Sequence, residues 1–164
     1  MVVKVNRNAQ FGASMDYGVA SPGNESGVDT NAVTAVVTAS GAITAGMLLE
    51  PDYTQVVSSG LPGSARFGVF QEATTAATHG LKAVALAAAA DGEEVAIALQ
   101  GAVLADVTAV ATITSGTALT DDGAGGFTNL GAGDQLYAYS LGDLTGPGSG
   151  QIVVLTFGNP LGYI

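Results

Sequence analysis

The chain has 164 residues, no cysteine and a formal net charge of −10 carried against only four Lys and Arg. That length predicts one domain that buries about 70% of its unfolded surface without staples, and the missing cysteine excludes disulfides, zinc–thiolate sites and cysteine nucleophiles. Lys4 and Arg7 stand near the start and leave only Arg66 and Lys82 for the rest, so no basic stripe can form to displace counterions from DNA or RNA.

Residues 1–30 are polar and glycine-bearing, with SPGNESG at 21–27. They predict either an extended arm or a frayed terminus with little core of its own. Lys4 and Arg7, with Phe11 and Tyr17 as anchors, are the candidate partner-binding residues of that arm. The opening MVVKVNRNAQFG has basic residues but no apolar stretch after them, so it does not read as a secretory signal. No run of about 20 apolar residues predicts a membrane span.

From residue 31 to 164 the pattern is strand, turn, strand. VTAVVTA at 33–39 is β-branched and stops at Ser40-Gly41. Met47–Leu49 forms the next run, which Pro51-Asp52 breaks. RFGVF at 66–70 places Phe67 and Val69 on one face. LKAVALAAAA at 81–90 has the alanines of a helix but the boundaries of a strand, Gly80 before it and the hairpin pair Asp91-Gly92 after it; strand is favoured. EVAIAL (94–99) and VLADVTAVATI (103–113) alternate as two further strands. LYAYSL (136–141) and IVVLTF (152–157) close the chain around a Gly/Pro loop at 144–150. The expected class is all-β, a small β-barrel or sandwich.

A phrase recurs within this pattern. ITAGMLLEPD at 43–52 returns as ITSGTALTDD at 113–122. Without gaps, the same offset also aligns Gly63 with Gly133, Thr75 with Thr145, Gly80 with Gly150, Val84 with Val154 and Phe67 with Tyr137. Two related strand units follow from this, with the DGEEVAIALQG hairpin as an addition after the first.

Reactive chemistry is sparse. His79, the only histidine, has Thr74, Thr75, Thr78 and Glu72 nearby but no nucleophile signature, so a catalytic role is disfavoured. Glu93-Glu94 and Asp121-Asp122 are adjacent pairs whose side chains point to opposite strand faces and so share no proton. Asp121-Asp122-Gly123 reads as a tight turn, since the alternating spacing of a calcium loop is absent. The Gly-rich 123–133 lacks the ending of a phosphate loop. No catalytic residue, cofactor or metal is expected, and the chain is not expected to be an enzyme.

The succession ITAGMLLEPD, RFGVFQEA, DGEEVAIALQGAV, ATITSGTALTDDGAGGFT, LYAYSLGD and GSGQIVVL resembles the capsid decoration, or cement, proteins of tailed bacteriophages over about residues 33–157. The resemblance implies a β-rich module on the outer capsid surface of the virion, with the major capsid protein as partner, a homotrimer as the oligomer, and a role in holding the shell against packaged DNA. Direct nucleic-acid and membrane contacts are not expected. The alternative is a carbohydrate-binding or adhesin-type module, for which Tyr137 and Tyr139 on one strand face would supply a small aromatic platform.

Overall fold

The computed structural model describes residues 32–52, 54, 68–74 and 80–158. Nine strands follow in order: β1 (Val33–Ser40), β2 (Leu48–Pro51), β3 (Val69–Glu72), β4 (Ala83–Ala85), β5 (Glu94–Ala109), β6 (Ala118–Asp121), β7 (Phe127–Asn129), β8 (Ala138–Ser140) and β9 (Gly148–Thr156). No helix occurs among the described residues, and the all-β expectation holds.

The strands close into two five-stranded barrels that share β5. In the first, β1 pairs parallel with β3, β3 antiparallel with β2, β2 with β4, β4 with β5, and β5 returns to β1. The second repeats this order as β5, β7, β6, β8 and β9, again with one parallel contact, between Val107 and Phe127. Closure removes most of the free sheet edge that short strands would otherwise present.

The repeated phrase marks the same piece of each barrel. Ile43 bridges Ala89 and Ile113 bridges Leu144. The following turns match, Met47 N–H donating to Thr44 at 3.2 Å and Thr117 N–H to Thr114 at 2.9 Å. Gly46 and Gly116 take φ of 91° and 90°, a region open to glycine and costly for any residue with a Cβ. The two related units expected from sequence are therefore present.

The gapless alignment fails beyond residue 52. Register equates Phe70, opposite Pro51, with Phe127, opposite Asp121, and Ala83, opposite Leu49, with Ala138, opposite Leu119. Val84 and Val154 are not counterparts, since Val84 lies in β4 and Val154 in β9. The physical reason is a difference in connection length: β6 reaches β7 through residues 122–126, whereas β2 reaches β3 only after residue 68.

Three other expectations change. Residues 94–99 and 103–109 are one 16-residue strand, continuous through Gly101 at φ 117°, where only a glycine lets the strand pass without strain. DGEEVAIALQG is thus no addition; it supplies the last strand of the first barrel. Within 81–90 only Ala83–Ala85 is strand, after which Ala89 bridges Ile43 and a turn at Asp91-Gly92 leads into β5. In the third strand the buried aromatic is Phe70, with Val69 half-buried; Phe67 lies outside the described residues.

Alternation explains the core. Leu49, Ala83, Ala85 and Ile97 point into the first barrel with Val37, Phe70 and Val95. Their neighbours Leu48, Val84 and Ala98 form a row across β2, β4 and β5 on the outer face. That row is fully buried, because it joins Val103, Val107, Leu119, Phe127, Ala138 and Val154 of the second barrel in one cluster. Covering a leucine or valine in this way contributes about 1.5–3 kcal/mol each, so the barrels form one hydrophobic body.

Candidate functional site

Polar groups complete the junction. Gly46 C=O accepts from Asp106 N–H at 2.8 Å, and Leu48 N–H donates to Gly125 C=O at 2.7 Å. The Gln151 amide donates to Ala45 C=O and to Asp106 Oδ1, both at 2.9 Å. The turn at 44–47 is therefore clamped by the second barrel, while space around its counterpart Gly116 is open.

Where the barrels meet, a lysine is buried between two carboxylates. Lys82 stands just ahead of β4, and its N–H donates to Gly158 C=O at 2.7 Å. This bond ties its backbone to the end of β9. Its Nζ lies 2.6 Å from Glu50 Oε2 on β2 and 2.6 Å from Asp121 Oδ2 on β6. Side-chain exposure is 1% for Lys82, 10% for Glu50 and 0% for Asp121. Each barrel supplies one carboxylate to the cluster.

The two Lys82 contacts differ in kind. Toward Glu50 the ammonium makes a directed, charge-assisted hydrogen bond. Asp121 Oδ2, equally near, accepts no directed hydrogen bond. Asp121 Oδ1 is held instead by Gly123 N–H at 2.7 Å. The Tyr137 ring, fully buried, has its centroid 5.9 Å from Nζ, and its hydroxyl donates to Gln135 Oε1 at 2.8 Å.

Electrostatics follow from this enclosure. Burial on its own would depress the Lys82 ammonium, but Asp121 and then Glu50 more than reverse that and hold it above the ordinary lysine value. Burial raises the Tyr137 phenol, and the neighbouring Lys82 charge offsets only part of the rise. Taking three charged groups out of water costs several kcal/mol per ion, so this arrangement is unlike the rest of a lightly charged chain.

The sequence-predicted site residues fare differently. Lys4, Arg7, Phe11 and Tyr17 lie outside the described residues, as does His79. Asp122 behaves as the turn residue expected, its Oδ1 accepting from Ala124 and Gly126 N–H at 2.7 and 2.9 Å. Asp121 also caps this turn but in addition faces Lys82, which turn chemistry alone did not reveal. Tyr137 is buried and Tyr139 packs edge-on against Phe157 at 5.8 Å, so the proposed two-tyrosine platform does not exist. The lysine inside the apolar run LKAVALAAAA was the available sequence signal for the cluster, because a buried lysine requires partners.

No protein-family model matches the chain, and a search of curated proteins found no relative. Among solved structures the chain is similar to the N base of the head fiber gp8.5 in bacteriophage phi29, at 15% identity and a TM-score of 0.48, over 80% of this chain and 98% of that one. A likeness at this level assigns nothing to the present chain.

Proposed function

We propose that this protein is a non-enzymatic virion component that binds the outer surface of an assembled capsid and stabilises it. The observation that carries the reading is the match in extent between the decoration-protein resemblance, about residues 33–157, and the fused barrels, which run from Val33 to Thr156. The repeated segments that bear the resemblance are the turn-and-strand pieces common to both barrels. Low charge and a net excess of acid suit a position on the shell exterior, away from DNA.

The major capsid protein is the partner in this reading, and a trimer is the assembly the resemblance implies. Many copies on one lattice stabilise it collectively even where each contact is weak. Lys4, Arg7, Phe11 and Tyr17 are the arm residues assigned to the contact. The carbohydrate-binding alternative loses its best-supported surface with the burial of Tyr137.

The test is to mix purified protein with undecorated shells and image them. Regular added density at capsomer junctions is expected, and weaker occupancy for a Lys4→Glu, Arg7→Glu double variant. Shells that stay bare at saturating protein overturn the proposal.

A further inference from the structure

The junction cluster has the parts needed for a covalent bond between the barrels. Lys82 Nζ lies 2.6 Å from a carboxylate oxygen of Asp121, and that oxygen accepts no directed hydrogen bond. The approach is as close as that of Glu50 and lies slightly inside the usual ammonium–carboxylate distance of about 2.7–2.9 Å. A second carboxylate, Glu50, touches the same nitrogen at 2.6 Å. The other Asp121 oxygen is fixed by Gly123 N–H. The Tyr137 ring lies beside the ammonium, and Leu48 and Val84, two residues from Glu50 and Lys82 along the chain, are fully buried.

We propose that Lys82 and Asp121 condense into an intramolecular amide, with Glu50 as the proton carrier. As an ion pair the lysine is no nucleophile. A proton must pass from Nζ to Glu50 and on to Asp121 Oδ2, giving an amine beside a neutral carboxylic acid. In a dry site the loss of two charges offsets much of the cost of that transfer, because the desolvation penalty falls on the charged forms.

The amine then attacks the Asp121 carboxyl carbon and the Nζ–Cγ bond forms. Negative charge develops on Oδ1, where the Gly123 N–H already points. Glu50 takes the second proton from nitrogen and delivers it to Oδ2, which leaves as water as the Cγ–Oδ2 bond breaks. One ammonium and one carboxylate become one amide and one water; Glu50 ends as it began, and no oxidant or other reactant is needed. Condensation of this kind is unfavourable for separate molecules in water. Here the groups are held in contact, where effective concentrations reach on the order of 10⁵–10⁸ M, and the departing water leaves an apolar interior.

The consequence is mechanical. The bond would staple the segment before β4 in the first barrel to β6 in the second, so the barrels could not be pulled apart at that point without breaking a covalent link. The proposal stands on these three side chains and does not depend on whether the protein decorates a capsid.

Intact-mass spectrometry of the purified, denatured full chain tests it. Wild-type protein is expected to be lighter than its sequence mass by one water, and a protease digest to contain a branched peptide joining the Lys82 and Asp121 segments. Lys82→Arg and Asp121→Ala should show full mass. Glu50→Gln, checked for a wild-type circular dichroism spectrum, should fold yet lose most of the cross-link, an effect that a merely structural glutamate would not produce. Wild-type protein at full sequence mass, with Lys82 and Asp121 recovered only in linear peptides, overturns the proposal even if every variant fails to fold. Undiminished cross-linking in Glu50→Gln removes Glu50 from the step.

Discussion

Lys82 and Tyr137 occupy equivalent places in the two barrels, each one residue ahead of the paired positions Ala83 and Ala138, and they meet with Nζ 5.9 Å from the ring centroid. The counterpart of Glu50 is Thr120, and that of Pro51 is Asp121. The two copies therefore differ at these positions, where they touch. One copy contributes the cation and one anion, the other an anion and an aromatic wall.

Removing the cation should expose how much the junction depends on it. Lys82→Met leaves Glu50 and Asp121 buried together without a counter-charge, and stability should fall by about 3–5 kcal/mol relative to protein in which Lys82 remains an ion pair. Adding Glu50→Gln and Asp121→Asn to that variant should recover a large part of the loss. Urea denaturation followed by circular dichroism measures both, with the midpoint and the slope reported separately.

Alkaline pH should weaken the fold through Tyr137. Its phenol is raised above the ordinary value of 10.0, so the folded state holds a proton that the unfolded chain has released, and stability falls as pH rises. The contribution is complete below about pH 10 and disappears as pH climbs through the folded value. Lys82, raised above 10.5, acts in the same direction while it remains an ion pair; once converted to an amide it contributes nothing. Tyr137→Phe should flatten the Tyr137 share of this dependence at a cost of about 1 kcal/mol for the hydrogen bond to Gln135. Denaturation midpoints measured from pH 8 upward check it.

Gly46 and Gly116 offer an internal control for the junction. Both have nearly the same positive φ, so alanine at either carries the same backbone strain of about 1–2 kcal/mol. At Gly46 the new Cβ would also lie 2.5 Å from Gln151 Nε2, whereas at Gly116 nothing lies within 4 Å. Gly46→Ala should therefore displace Gln151 from Ala45 and Asp106, and lose about 1–2 kcal/mol more than Gly116→Ala. Equal losses from the two variants would show that Gln151 does not hold the turn.

The shared strand predicts that the barrels unfold together. Phe70 and Phe127 are equivalent, and each is almost fully buried in its own barrel. Either Phe→Ala change should cost about 3–5 kcal/mol and lower one common transition, with an unchanged denaturant slope. A variant whose signal splits into two transitions would mean that the outer row of Leu48, Val84 and Ala98 does not couple the barrels.

Much of the architecture is legible in particular residues. Val33 to Ala39 and Glu94 to Ala109 show their strand character by β-branching and alternation, and Ile43-Thr44 with Gly46 identifies the repeated turn because a positive φ demands glycine at the same place twice. The repeat lost its register after Asp52, since a gapless comparison cannot absorb connections of unequal length. Read from sequence, one strand ends at Leu99 and another begins at Val103; Gly101 between them lets one strand serve two barrels.

The candidate site was much less legible. Asp121 reads as a turn residue because its nearest neighbours in sequence are Asp122 and Gly123, and it does cap that turn. Its approach to Lys82 arises only because the second barrel lies across the first.

By itself, then, the sequence determined the class of structure, the existence of two related units, and the absence of thiol chemistry, because these follow from composition and from periodicity along the chain. The tertiary structure alone decided that Leu48 and Leu49 are both buried, that β5 belongs to both barrels, and that one lysine faces two acids. Alternation fixes which side chains share a face, but it carries no information on what covers that face. Here the cover is the second barrel, and enclosure between the two buries Lys82 and Asp121.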